Sequence, residues 1–338
     1  MGLVVSCESR RLFGRVSGKC NRSGVLRIAP LSGFGKDRLM RLGDEERSVN
    51  FEDRTGRGGM GFGGGGGLGG GMMPMLFGLV LSRFGIGGVL ILLLGYCALS
   101  TFGGGGGGGT IGGTPALQTG APSGQSTLDP NTRELLTRVL GSTERRWTDL
   151  FAAQGQRYQP TTMVAYSRTD RSGCGAAQAA MGPFYCPSDQ RIYIDPTFFD
   201  ELSTRFGAQG DFAQAYVIAH EVGHHIQNLT GVLDQAQQAQ SRASAAEGNA
   251  VQVRVELQAD CYAGVWAAND KNLLEPGDVE EGMRAAEAIG DDTLQRQAQG
   301  RVVPESFTHG TSAQRMAWLR RGLQTGDPAA CDTFNQPI

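Results

Sequence analysis

The sequence predicts an α+β fold, mostly helical with a small sheet, preceded by a single transmembrane helix. Three observations predict it. Apolar residues recur at helical spacing through most of residues 129–323. Only two short stretches, Thr161–Ser167 and Arg191–Asp195, alternate as strands do. The 19 residues from Phe84 to Phe102 carry no charge and include Val89-Leu90-Ile91-Leu92-Leu93-Leu94, enough for a helix to span a bilayer core.

Residues 1–57 are polar and charged without periodicity, which predicts a disordered, basic, cytoplasmic segment. Met40 is a candidate second start, which would make residues 1–39 a mis-assigned leader. Residues 58–75 are a Gly-rich linker. The Gly56-Arg57-Gly58-Gly59-Met60-Gly61 run at its edge has no strand before it and no helix after it, so it reads as linker and not as a phosphate-binding loop. Residues 76–102 are the expected membrane segment, and 103–127 a second Gly/Ser/Pro-rich linker opening on seven consecutive glycines.

Charge is distributed unevenly: residues 1–83 hold 13 Lys/Arg against 7 Asp/Glu, and residues 84–338 hold 18 against 26. Arg83 flanks the apolar run, and the next cationic residue is Arg133. The positive-inside rule then places the N-terminus in the cytoplasm and the body outside it. The body has no basic stretch interleaved with aromatics, which argues against a nucleic-acid partner.

The body, 128–334, is long enough for one sizeable core. Asp129-Pro130 predicts a helix start, and Leu136, Leu140, Trp147 and Phe151 continue its apolar stripe to about residue 153. A Cys-Gly-Pro-rich excursion from Cys174 to Cys186 separates the two strands. Further helices are expected over 211–229, a long stretch 232–270, 278–298 and 311–323.

Chemistry concentrates at His220-Glu221-Val222-Gly223-His224. On a helix the two histidines lie one turn apart on one face, and Glu221 sits beside the same edge. This is the spacing of two zinc ligands and a general base acting on water. His225 points about 100° away around the helix and reads as a packing residue. The better third ligand is Glu256, in Glu256-Leu257-Gln258-Ala259-Asp260. Glu256 and Asp260 share a helical face, so one carboxylate can bind metal while the other accepts a histidine N–H. Apolar neighbours such as Val255 and Leu257 favour that reading over two solvated acids. Spacing alone assigns nothing to His309.

With these residues in place, the chain resembles the gluzincin class of zincins, and more closely a bacterial family of membrane-anchored neutral zinc metallopeptidases. Other blocks carry the likeness: Gly173-Cys174-Gly175-Ala176, Met181-Gly182-Pro183-Phe184-Tyr185-Cys186-Pro187, Gly210-Asp211-Phe212-Ala213-Gln214, Ala288-Ile289-Gly290-Asp291-Asp292, Gln299-Gly300-Arg301-Val302-Val303-Pro304 and Ser306-Phe307-Thr308-His309-Gly310-Thr311-Ser312. The resemblance implies a zincin-like domain in the bacterial inner membrane, facing the periplasm or exterior. It implies Zn2+ on His220, His224 and Glu256, with Glu221 as general base and Asp260 orienting a histidine ligand. It also implies a peptide or protein substrate. His309 would bind the oxyanion, with Arg315 nearby. Gly310 stands where those relatives have Pro. In zincins an edge strand before the site helix pairs with the substrate, and Arg191–Asp195 is either that strand or an internal one.

Seven cysteines divide by position: Cys7 and Cys20 near the N-terminus, Cys97 in the apolar run and four in the body. Four allow three pairings. The favoured pair of disulfides is Cys174 with Cys186, closing a local loop, and Cys261 with Cys331, tying the C-terminus to the Glu256 helix. The rival for Cys261 is a zinc thiolate, but on a helix it faces away from Glu256. The competing functional reading is a catalytically silent zincin-fold binding or assembly protein of the cell envelope. Substrate identity and oligomeric state do not follow from the residues.

Overall fold

A computed structural model describes residues 5–6, 25–26, 40–42, 45–57, 125–270 and 273–338. The chain divides into two units, Met1–Leu39 and Met40–Ile338. In the first, β1 (Val5–Ser6) pairs antiparallel with β2 (Val25–Leu26). The apolar run Phe84–Phe102 lies outside the described residues, and among those described no helix is long and apolar enough to cross a membrane.

Helices dominate, beside a small sheet, as an α+β fold requires. Helix α1 (Pro130–Ala153) starts where its cap predicts, with the Asp129 carboxylate accepting the Thr132 amide and Pro130 in the first turn. The sheet has the order β3 (Phe51–Asp53), β4 (Thr162–Ala165), β8 (Arg191–Ile194), β7 (Phe184–Cys186). Strands β3, β4 and β8 run parallel, and β7 pairs antiparallel to β8. Strands β5 (Thr169–Ser172) and β6 (Gly175–Gln178) form a separate hairpin whose turn carries Cys174.

Within residues 1–57, strand β3 corrects the reading as disordered for the described part from Met40 on. Phe51 pairs with Met163 and Asp53 with Ala165, while Met40 and Leu42 are buried in the main core. One membrane crossing between residues 57 and 125 would put β3 and β4 on opposite sides of a bilayer. The expected split, residues 1–57 inside and the body outside, therefore does not fit this sheet.

The helical layer contains α2 (Thr197–Thr204), α3 (Asp211–Leu229), α4 (Val232–Gln240), α5 (Ala245–Asn269), α6 (Asp278–Ala288), α7 (Asp291–Gln299) and α8 (Ser312–Thr325). The long stretch expected over 232–270 is two helices. Ser244 caps the second, accepting the Glu247 amide while the Glu247 carboxylate returns to the Ser244 amide. The stretch over 278–298 likewise breaks at Ile289-Gly290. Helix α5 is buried almost all round from Val253 to Ala267 and is the central pillar, packed against α3 and α8. Both favoured disulfides are present, Cys174–Cys186 and Cys261–Cys331, which removes the thiolate reading of Cys261.

Candidate metal centre

The histidine helix is α3, and its inner face meets α5. His220 and Glu221 are buried, as is Glu256 opposite them on α5. His220 Nε2 lies 3.2 Å from Glu256 Oε2 and 3.2 Å from His224 Nε2. His224 Nε2 lies 3.6 Å from the same carboxylate oxygen. Tetrahedral zinc with N and O ligands at about 2.0–2.2 Å sets ligand separations of roughly 3.3 Å, so the triangle has the right size.

The other ring nitrogens are engaged elsewhere. His220 Nδ1 faces Asp260 Oδ1 at 2.8 Å, and His224 Nδ1 faces Gln227 Oε1 at 2.9 Å. Both acceptors draw the proton to Nδ1 and leave the Nε2 lone pairs converging beside a carboxylate. Such an arrangement suits a cation. Among the described residues, no fourth protein ligand joins these three, which leaves a position open for water, as a catalytic zinc site needs.

Asp260 anchors a wider network. It is fully buried and takes a two-toothed bond from Arg315, Nε at 2.9 Å and Nη2 at 2.8 Å, and a third from the Tyr216 hydroxyl at 2.5 Å. Burial opposes its charge, but Arg315 and His220 hold its carboxyl below the ordinary range. Arg315 is thus the ion-pair partner of Asp260, at the rim of the same cleft. Burial also opposes a charge on His220, yet in the metal-free site Asp260 and Glu256 raise its pKa to about 9, so a cation binding at Nε2 would displace a proton from it. Glu256 is held well below the usual carboxylate range: burial works against its charge, and His224, His220 and His309 together outweigh that. Burial raises the Glu221 carboxyl, against the pull of His224 and His220. A raised carboxyl suits a group that must both take and give a proton.

His220, Glu221, His224, Glu256 and Arg315 line one cleft of about 640 Å³ together with His309. Its walls include apolar side chains such as Met181, Phe184, Phe198, Val217 and Leu294. His309 is set by Asp291, whose Oδ1 lies 3.1 Å from His309 Nδ1. Asp291 Oδ2 accepts the successive amides of Thr308, His309 and Gly310. Gly310 has φ of 86°, closed to proline, and donates an N–H that proline lacks. The departure from Pro at this position therefore belongs to the loop that carries His309.

His225 turns away from the metal ligands, as its spacing predicts. Its Nε2 donates to the Gln159 carbonyl at 2.6 Å, and its Nδ1 accepts from the Tyr185 hydroxyl at 3.0 Å. Asn228 bonds the same hydroxyl. Together they pin β7 to the site helix. The edge strand is accordingly β7, whereas Arg191–Ile194 lies inside the sheet between β4 and β7.

The structure brings the three candidate ligands named from sequence, with Glu221, Asp260 and the His309 loop, to one place. Sequence reasoning missed Tyr216, Gln227 and Asp291. Gln227 left a trace one helical turn beyond His224, and Asp291 only its place in the block Ala288–Asp292.

Residues 40–334 match the family model described as "Putative neutral zinc metallopeptidase". The chain belongs to this family. It is 44% identical over 310 residues to the uncharacterized protein YpfJ of Escherichia coli K12, covering 88% of this chain and all of that one. An uncharacterized protein of Mycobacterium tuberculosis H37Rv is 48% identical over 191 residues, 53% of this chain and 64% of its own length. No solved structure matches.

Proposed function

We propose that the protein is a zinc-dependent peptidase whose metal is held by His220, His224 and Glu256. The observation that carries this is the convergence of two histidine lone pairs and a buried carboxylate within one cleft. Zinc, when bound, polarises the scissile carbonyl and lowers the pKa of water. Glu221 takes the proton from the attacking water and passes it to the leaving amine. His309, oriented by Asp291, donates to the developing oxyanion. The outer edge of β7, unpaired among the described residues, receives an extended peptide through main-chain hydrogen bonds, and the apolar cleft walls receive its side chains.

Two disulfides support a location in an oxidising compartment, the periplasm or exterior. The run Phe84–Phe102 supports attachment to the membrane, with residues 45–57 and the body on one side of it. The test is metal analysis and peptide hydrolysis with the full chain, unaltered and as Glu221→Gln. The unaltered chain should hold one zinc and cleave peptides, and the variant should keep the zinc and lose cleavage. Equal cleavage by the variant would overturn the role of Glu221, and a chain that takes up no zinc would overturn the reading as a whole.

A further inference from the structure

The two histidine ligands are held by different chemistry. His220 rests on a carboxylate, Asp260, whereas His224 rests on a neutral amide, Gln227. Gln227 is fully buried, so each of its amide atoms needs a partner. Its Nε2 donates to the Val255 carbonyl at 2.7 Å and to Gln258 Oε1 at 3.1 Å. Gln258 Nε2 donates in turn to the Cys331 carbonyl at 2.9 Å. Cys331 is joined to Cys261, one turn along α5 from the Gln258 end of this chain of bonds.

The direction of the chain is fixed at its far end. A backbone carbonyl can only accept, so the Val255 and Cys331 oxygens compel both glutamines to point their amide nitrogens at them. Gln227 is then left with its oxygen towards His224. That oxygen can only accept, so His224 carries its proton on Nδ1 and presents the Nε2 lone pair to the other ligands. We propose that Gln227 is the positioning residue for His224, and that Gln258 and the disulfide-tethered Cys331 carbonyl hold it in that role.

The proposal rests on the zinc reading above and gives the Cys261–Cys331 bridge a part in it. The bridge spans 70 residues and fixes the C-terminal segment against α5, so the carbonyl that ends the chain of bonds is kept in place. A carboxylate at 227 could also accept from His224, but it would face the Val255 carbonyl and Gln258 Oε1 without a proton to donate. An amide satisfies both sides without adding charge to a site that already holds Glu221, Glu256 and Asp260.

The test is zinc affinity of the full chain, by competition with a chromophoric chelator, and the visible spectrum with cobalt(II) in place of zinc. In Gln227→Met the zinc affinity should fall about 10- to 100-fold and the cobalt bands should shift, because the imidazole is no longer held in one orientation. A role confined to packing would lower thermal stability and leave the cobalt spectrum of the folded protein unchanged, and that result overturns the proposal. Gln258→Met cuts the chain one bond further out and should weaken zinc in the same direction by a smaller factor. It serves if the first variant does not fold, and wild-type affinity in it would overturn the outer half of the proposal. If the unaltered chain binds no zinc, the peptidase reading falls and this proposal with it. Zinc bound normally by both variants sinks the proposal alone.

Discussion

Asp291 makes four hydrogen bonds to three consecutive residues, and through them it sets both the position and the charge of His309. Burial works against a protonated imidazole there, and the bond to Asp291 together with the charges of Glu256 and Asp291 outweighs it, so the His309 pKa is raised. A raised histidine pKa keeps the donor charged to higher pH. Removing the carboxylate charge must move that limit down. We expect Asp291→Asn to shift the alkaline limb of kcat/KM to lower pH and to reduce kcat by less than the roughly 10²–10³-fold that loss of an oxyanion donor costs. A pH–rate profile on a peptide substrate checks it, and an unmoved alkaline limb would separate His309 from that titration. At this scale the sequence was legible where spacing carries meaning: His220 with His224, and Glu256 with Asp260, are each one turn apart on a helix. Asp291 and Tyr216 were not, because their roles depend on contacts across the chain that no local period encodes.

The elements place these residues by close approach of α5 and α8. A methyl group on Gly322 would sit 2.0 Å from the Cys261 carbonyl, and one on Gly264 would meet the Leu319 carbonyl at 2.3 Å. Both obstacles are backbone, which cannot swing aside. The same helix pair carries the Asp260–Arg315 bonds one to two turns away. Gly322→Ala must push α8 off α5, at about 1–3 kcal/mol or more, and lengthen the Arg315 fork in doing so. Denaturant unfolding measures the first effect and zinc affinity the second, and a fully stable variant would mean that the helices have slack at this point. The long helices of the body were legible, but the short elements α2, β5, β6 and β7 were not, and two boundaries were not drawn. Ser244-Ala245-Ala246-Glu247 is a capping box that the apolar pattern running from 232 to 270 overrode. The edge strand was left open, because Arg191–Asp195 read equally as an edge or an internal strand, and the strand that does lie at the edge was not foreseen. Phe184–Cys186 is three residues long inside a Cys-Gly-Pro-rich excursion, and only its pairing with β8 makes it a strand.

In the whole molecule, the segment from Met40 to Arg57 is where sequence reasoning failed most. Asn50-Phe51-Glu52-Asp53-Arg54 is too short and too charged to announce a strand. Its charges are answered by residues far along the chain: Arg191 bonds Glu52 at 2.9 Å, Asp170 bonds Arg54 at 3.0 Å, and Arg133 bonds Asp53. Partly exposed pairs of this kind each contribute about a kilocalorie or less, so they select the register more than they drive folding. The drive comes from burying Met40 and Leu42 and from the ladder to β4. The consequence is topological. Strand β3 precedes the uncharged run Phe84–Phe102 and its partner β4 follows it, so the run cannot make a single crossing between them while the pairing stands. Cysteines placed at Val49, 92% exposed beside β3, and at the exposed Gln238 of α4 read this out. With a membrane-impermeant maleimide on intact cells, followed by peptide mapping, the two should label together, or both only after permeabilisation. Labelling of one without the other would put β3 and the body on opposite sides of the membrane. The domain would then have to fold as a three-stranded sheet, with Arg191 and Asp170 facing solvent where Glu52 and Arg54 now sit.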